Sequence, residues 1–572
     1  MILQALKEYY DRKTADPTSG IAPYGWEWKE IPFLIMITGN GDFCSIQDTR
    51  EGKSKRGHMY LVPSLGEKKG NGIKSNLFWE NIEYVFGSPV PTKSKPNPDP
   101  ERIREQHSAF QKQILELGQE NKKIIAALKF ANTDHLERLK KDVVWKEALS
   151  INKNLLISFQ GDGPITNDPE IRQIINTKKR PDSVNGTCLV TGNNDEIVRL
   201  EAPIRGIYGN DQKAERSLVA FNLESFESYG KKKNYNSPIG RLAAFAYTTA
   251  LNHLLAIDST QRMLVGDATT VFWSEKDCDL EKQLPDIFGE PPEDDPDRGV
   301  KAVESLFKSI ENGTYLNNNN DKKKFYVLGL SPNSSRISIR FWIIDTVSGI
   351  SQKIGLHFKD VSIVHSPRDK DVLSLFRLLV STAVQGKADK IPPNLAGETI
   401  RAILQGLPYP NTLLQAIIRR IRAEHEVTYP RAALIKACIN RSTRFKNPHI
   451  KEELNMSLDE NNTNIGYRLG RLFATLEKIQ QEANPGINAT IRDRFYGAAS
   501  GTPSTVFGNL MRLKNHHLSK LDNKGRKIFF EKLLSQIIDG IEAKTSFPSH
   551  LPINDQGRFA VGYYHQVQKF FS

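Results

Sequence analysis

The sequence predicts an α+β, multi-domain protein, with a mixed α/β N-terminal body followed by a C-terminal α-helical bundle. Three observations predict it. Apolar runs of strand composition lie before about residue 342, the 3–4 helical period dominates after Asp371, and a proline-rich stretch sets off a first small region. With 572 residues and 38% hydrophobic content, the chain can bury several cores. The expected segments are 1–95, an N-terminal α/β region; 96–370, a central α+β body; 371–455, a helical connection; and 456–572, the helical bundle.

The elements follow in order. MILQALKEYY opens an amphipathic helix without the apolar core of a signal peptide. Ile31–Thr38 reads as a buried strand, turned by Gly-Asn-Gly into a partner at Phe43–Gln47. Leu77–Phe86 is aromatic and aliphatic, and the five prolines within Gly87–Pro100 mark a linker or an extended crossing. Glu101–Ser150 is helical, with Ile103, Phe110, Ile114 and Leu117 at helical spacing. From Leu155 the pattern turns to strands. Cys188–Thr191 and Ile197–Leu200 flank a polar turn as a hairpin, and Ser217–Phe221, Met263–Val265, Thr270–Trp273, Phe325–Leu330 and Arg336–Ile344 are further strands. Ile239–Ile257, apolar almost all round, is a buried helix among them. Glu290–Asp297 and Asn317–Lys324 read as surface loops, and Leu413–Ile421, Ile465–Ile479, Val506–Leu518 and Ile528–Ile541 are the later helices.

Charge narrows the partners. The net charge is +13, and residues 401–572 hold 25 Lys/Arg against 14 Asp/Glu, so +11 of it lies there. A basic third of this kind points to a polyanion, and nucleic acid is a commoner one than a membrane surface. Four scattered cysteines without a paired motif argue against a zinc site or a disulfide framework and fit a reducing cytoplasm. No apolar run approaches the length of a membrane span.

Arg50–Asn76 is the most informative stretch, with seven Lys/Arg against two acids and five glycines. Glycines let a backbone turn with positive φ and approach a partner, lysines and arginines meet phosphates, and short amide tips can reach base edges. The candidate nucleic-acid contacts are Lys53, Lys55, Arg56, Lys68, Lys69, Asn71, Gly72, Lys74, Ser75 and Asn76. On composition alone, a solvated surface loop reads the same way.

Catalytic chemistry is hard to find. Gly66–Ser75 lacks the spacing of a phosphate-binding loop, and no nucleophile elbow, zinc-protease helix or kinase signature occurs. Asp286 with Asp321–Lys323 is a loose match to a metal nuclease, and His516–His517 lacks an evident orienting carboxylate. The expectation is a binding protein, not an enzyme, with no cofactor and no metal. The alternatives are a stand-alone metal-dependent nuclease and an RNA- and protein-binding scaffold that does not read DNA.

Several long runs carry a family resemblance: GIAPYGWEWKEIPFLI, DTREGKSKRGHMYLVP, NGIKSNLFWENIEYVFG, CLVTGNNDEIVRLEAPIRG, FYVLGLSPNSSRISIRFW, YGAASGTPSTVFGNLMRLKNHHLSKL and GRFAVGYYHQ. Through them the chain resembles the large subunit of the type I-C CRISPR surveillance complex, Cascade, over nearly its whole length. The resemblance implies a non-catalytic subunit of an RNA-guided antiviral complex. Guide RNA reads sequence by pairing, while this subunit reads the short motif flanking the target on duplex DNA. It further implies help in unwinding, a hold on the displaced strand and a docking face for the helicase-nuclease. The implied partners are guide RNA, target duplex and displaced strand, the backbone subunits, the guide-processing endonuclease subunit and small subunits. Asn71, Gly72 and Lys74 are the residues expected nearest the bases.

Two expectations concern the last third. Lys451-Glu452-Glu453 must be encoded by a purine-rich string resembling a ribosome-binding site, which would place an internal start at Met456 and a product of 572 − 456 + 1 = 117 residues. The resemblance supports this, since type I-C small subunits arise by internal translation. Within the bundle, Arg468, Arg471, Lys478, Arg492, Arg494, Arg512 and Lys514 are the candidate contacts to single-stranded DNA, with Arg468, Arg471 and Lys478 on one side of a helix. A merely solvated basic face would look the same.

Overall fold

The computed structural model describes residues 1–52, 56–65, 72–91, 96–177, 184–209, 216–265, 268–289, 301–306, 323–334, 336–541 and 546–571. The chain divides into two compact units, Met1–Ile257 with Pro332–Ser338, and Asp258–Ser331 with Ile339–Ser572. The α+β class is as the sequence predicts.

In the first unit, helix α1 (Ile2–Thr14) buries Ala5, Leu6, Tyr9 and Tyr10, one face at 3–4 spacing. Strands β1 (Trp26–Ile31), β2 (Phe33–Ile37), β3 (Phe43–Asp48), β4 (His58–Pro63) and β5 (Trp79–Glu80) follow, then helices α2 (Ile82–Phe86), α3 (Pro100–Leu115), α4 (Lys122–Ala131), α5 (Leu136–Leu139) and α6 (Trp145–Ile151). Strands β6 (Leu155–Phe159) and β7 (Gly163–Pro164), helix α7 (Pro169–Thr177), strands β8 (Asn185–Thr187) and β9 (Asn194–Glu196) and helix α8 (Arg241–Leu254) complete it.

The main sheet runs β3-β2-β6-β5, with β7 on β6. β2 pairs antiparallel with β3 and parallel with β6, which is why β2 and β6 read as continuous apolar runs. Phe110, Ile114, Ile124, Phe130 and Trp145 of α3, α4 and α6 join the core of this sheet. The Gly-Asn-Gly turn is needed sterically. Gly41 has φ +82°, and a Cβ there would meet the Ala126 carbonyl oxygen at 2.3 Å. β1 and β4 form a separate antiparallel ribbon, with Trp28 opposite Leu61 and Lys29 opposite Tyr60.

Two strand expectations shift. The hairpin exists, but its strands are β8 and β9, and Cys188–Thr191 lies in the turn, where the Cys188 carbonyl accepts from Gly192 at 2.8 Å. Polarity misleads because Asn194–Glu196, written off as turn, sits on an exposed pair. Ser217–Phe221 is not a strand; it contributes only an isolated bridge from Ser217 to Arg336.

The second unit holds strands β10 (Arg262–Val265), β11 (Ala268–Ser274) and most of β12 (Lys324–Asn333) and β13 (Arg336–Thr346), neighbours in that order, with α9 (Leu280–Phe288) between β11 and β12. Helices then run α10 (Val347–Val361), α11 (Leu375–Val380), α12 (Pro393–Gln405), α13 (Asn411–Glu424), α14 (Tyr429–Lys446), α15 (Ile465–Ala483), α16 (Ile491–Gly501), α17 (Phe507–Ser519), α18 (Lys524–Asp539) and α19 (Ile553–Phe571). Periodicity misses α14 because every residue from Arg431 to Arg441 is buried, so no polar face marks it.

α15 and α19 lie side by side, and glycine decides how closely. A Cβ on Gly470 would stand 2.0 Å from the Phe559 carbonyl oxygen, and one on Gly562 would stand 2.2 Å from that of Tyr467. Only a residue without a side chain lets the two backbones meet.

Candidate nucleic-acid interface

The described ends of the basic stretch are held at two tight necks, one at each end of β4. At the first, Thr49 N–H donates to the Pro32 carbonyl at 2.9 Å, its hydroxyl donates to the Ile31 carbonyl at 2.6 Å, and His58 N–H donates back to that hydroxyl at 3.2 Å. Gly57 is forced by contact, because a Cβ there would stand 2.3 Å from the Pro32 Cα. Arg50, counted from sequence as part of the basic surface, is spent here. Its guanidinium meets Asp48 at 2.6 Å and Glu147 at 2.7 Å with its side chain 4% exposed, and those hydrogen bonds raise its already high pKa. The same pair holds the Asp48 carboxyl below its usual range.

The second neck closes the segment between β4 and β5. Ser64 N–H donates to the Gly25 carbonyl at 2.8 Å, and the Trp79 indole N–H donates to the Pro63 carbonyl at 3.0 Å. Behind it lies Glu80, which is 2% exposed. One of its oxygens accepts from Asn76 N–H at 3.3 Å and from the Asn76 amide at 2.9 Å, and the other accepts from Asn81 N–H at 3.2 Å. Ser75 hydroxyl donates to the Asn76 carbonyl at 3.0 Å. Ser75 and Asn76, expected among the free tips, are therefore buried pins at the base of the loop.

The other sequence candidates fall as follows. Lys53, Lys55, Lys68, Lys69 and Asn71 lie outside the described residues. Arg56 and Gly72 are exposed and Lys74 is half-buried. A Cβ on Gly72 would meet nothing within 4 Å, so packing does not require glycine there.

In the bundle the seven cations separate. Arg471 is buried, its Nε donating to the Gln566 side-chain oxygen at 3.1 Å and one terminal nitrogen donating to the Glu460 carbonyl at 3.1 Å. Burial lowers its pKa. It does not share an exposed face with Arg468 and Lys478. A helix wrapped by α17, α18 and α19 has no broad free side, so a basic position at helical spacing can point inward. Arg468 Nε donates to the Asn462 carbonyl at 2.7 Å, Lys478 faces Glu482 at 3.7 Å, and Arg492 faces Glu477 at 3.7 Å. Arg494 and Arg512 are exposed, and Lys514 is half-buried.

Of the nuclease constellation, Asp321 lies outside the described residues, and Asp286 sits on α9. His516 is exposed at the end of α17, and His517 has its pKa lowered by burial and by the neighbouring His516 and Lys520. Among the described residues, no group of three or more His, Cys, Asp or Glu is placed to hold a metal ion. None of the described helices is long and apolar enough to cross a membrane.

Sequence reasoning passed over a cleft of about 710 Å³ in the first unit. It is lined by β1 with Met59 of β4, by the C-terminal half of α8 with Ala202, Pro203, Arg205 and Gly206, and by Ser64, Leu65 and Asn76 from the two sides of the second neck. Gly206, at φ +84° and with the Leu255 carbonyl oxygen 2.6 Å from a built Cβ, lets the α8 side close. The available signal was the Trp-Glu-Trp of β1, where Trp26 is buried but Trp28 is 46% exposed.

The chain matches a family of CRISPR-associated proteins over residues 6–571, nearly its whole length. It belongs to that family, the CRISPR-associated protein Cas_Csd1, which is the large subunit of the type I-C Cascade. No curated protein matches the chain.

Proposed function

We propose that this Cascade subunit is the non-catalytic reader of the motif flanking the target in duplex DNA. The observation that carries the proposal is the pair of necks. Two basic segments join β4 at its opposite ends, and the two points of attachment are about 17 Å apart at strand rise. That is roughly five base pairs at 3.4 Å per step along one strand. Each neck fixes where its segment starts and ends, which reduces the ordering cost when the segment meets DNA. The candidates nearest the bases are Asn71, Gly72 and Lys74, with Lys68 and Lys69 beside them and Lys53, Lys55 and Arg56 on the more distant phosphates. Asn and Lys tips suit the degenerate minor-groove code, which separates A·T from G·C pairs. In the bundle, Arg494, Arg512 and Lys514 would hold the displaced strand, and a further face would recruit the helicase-nuclease.

The experiment is binding of the assembled complex to duplexes randomised beside the target, with wild type and Asn71→Ala/Lys74→Ala. Lost flank selection with residual affinity supports the reader. Selection that persists while affinity falls evenly makes the segment a phosphate clamp only.

We also propose that the region from Met456 is made separately as the small subunit. Within the full chain this region leans on what precedes it. Met456 carbonyl accepts from Val364 N–H at 2.8 Å, Tyr564 hydroxyl donates to the Val364 carbonyl at 2.9 Å, and Arg558 pairs with Glu453. A separate product would lose those contacts and bare the face of α19 that packs on α14. Intact-mass analysis of the purified complex tests this: a species beginning at Met456 is the expected result, and its absence would count against the internal start.

A further inference from the structure

We propose that the cleft of the first unit takes one unpaired nucleotide, its base laid on the Trp28 indole. The cleft's size suits such a guest. About 710 Å³ lies within the range of small-ligand sites and exceeds what one base with its sugar fills. Its chemistry is also that of a nucleotide. Trp28 and Met59, 46% and 48% exposed, offer an aromatic plane and a soft edge on the ribbon floor. Aromatic platforms bind bases with little regard to sequence, because every base has a π-face. Arg205, across the cleft, supplies positive charge for a phosphate, whereas Glu27 and Lys29 alternate with Trp28 along β1 and point to the other face of the ribbon, where Lys29 lies over the Trp79 ring at 5.1 Å. Asn154, with no hydrogen bond among the described residues, can donate to and accept from a base edge.

The location singles out this occupant over an apolar protein segment. Ser64, Leu65 and Asn76, which line the cleft, are the described residues on either side of the segment proposed to meet DNA, so the cleft adjoins the two ends of that segment. A strand held by that loop would bring an unstacked nucleotide within reach of the floor. The polar and charged groups on both walls would be poorly satisfied by an apolar peptide.

Such a nucleotide has two sources in an RNA-guided complex, the unpaired part of the guide and the opened DNA near the flank. The chemistry is shared, and crosslinking separates the sources. Complexes would be assembled from the full chain with 4-thiouridine in the non-pairing part of the guide, or with 4-thiothymidine in the DNA beside the flank. After irradiation, adducts would be mapped by peptide mass spectrometry. The expected result is an adduct on the peptides containing Trp28 or Met59 from one of the two, with its yield reduced about tenfold by Trp28→Ala and largely retained by Trp28→Phe. No adduct from either strand, or an adduct to another subunit's peptide in this cleft, overturns the proposal. So does a yield that Trp28→Ala leaves unchanged. The proposal rests on nucleic acid meeting the first unit but not on flank selection. Loss of selection in Asn71→Ala/Lys74→Ala with the Trp28 adduct intact tests the reader alone.

Discussion

At the neck before β4, Arg50 is locked between Asp48 and Glu147, whereas in the bundle Arg471 lies inside, capped by Gln566 and a carbonyl. Both are arginines in basic sequence, and neither adds to the surface field. The difference lies in what compensates them. Arg50 has two carboxylates at an edge, while Arg471 hydrogen-bonds only neutral groups and has one guanidinium nitrogen with no hydrogen-bond partner among the described residues. A count of lysines and arginines fixes net charge, but the partners a fold supplies decide which of them reach a ligand.

The contrast can be broken most severely where a buried carboxylate holds two guanidinia. Asp360, at 1% side-chain exposure, meets Arg441 at 3.2 Å and Arg444 at 2.7 Å. Asp360→Ala leaves buried charge uncompensated and is expected to destabilise the second unit by about 3–5 kcal/mol, read from urea melts. A loss below about 1 kcal/mol would mean water reaches the pair.

The next effect has a pH signature and separates the units. In the first, burial, opposed by the Asn234 side chain, pushes the Glu201 carboxyl up to about 8. The folded chain therefore keeps a proton that the unfolded chain loses above its ordinary value near 4.5, and stability falls as pH rises from there to about 8. Glu201→Gln should remove that slope and gain on wild type by about 2–4 kcal/mol at pH 8. In the second unit, burial drives His357 and His565 down to about 3, which has the opposite sign: stability present above pH 6.5 is lost as pH falls toward 3. Parallel urea midpoints for wild type and variant across pH 5–9 would disprove the first half.

Gly470→Ala probes packing instead of charge. Its methyl group would push α15 off α19, at a cost of about 1–3 kcal/mol, visible as a lowered Tm. An unchanged Tm would show that the helices can slide to accept it.

The smallest effects sharpen the comparison. Arg471→Met should change stability by less than about 1 kcal/mol, since an apolar side chain can replace a buried charge that lacks a counter-ion. It should leave the salt dependence of DNA binding untouched. Arg512→Ala should leave stability unchanged and lower the salt slope by about one unit. Equal slopes for Arg512→Ala and wild type would show that α17 is only a solvated face.

Much of this was legible in the chain itself. Apolar runs and helical periods announced β2, β3, β10–β13, α13, α15, α17 and α18 with near-correct bounds, because short apolar runs mark buried strands and 3–4 spacing marks helices with one buried face. The basic, glycine-rich stretch announced a loop, and the long family runs announced the subunit to which it belongs. Two of the helices that escaped are α14, which has no polar face to mark it, and α19, visible only as part of a family run.

What only the tertiary structure decided is the use of individual side chains. Asn76 and Ser75 became pins because Glu80 stands four residues on, behind a strand that ties back to Pro63. Arg471 turned inward because three helices close over α15. Trp28 gained a cleft because α8, far away in sequence, forms the opposite wall. Local sequence fixes period and turn chemistry through short-range sterics and hydration. Partners and exposure depend on contacts between distant segments, which no local pattern records.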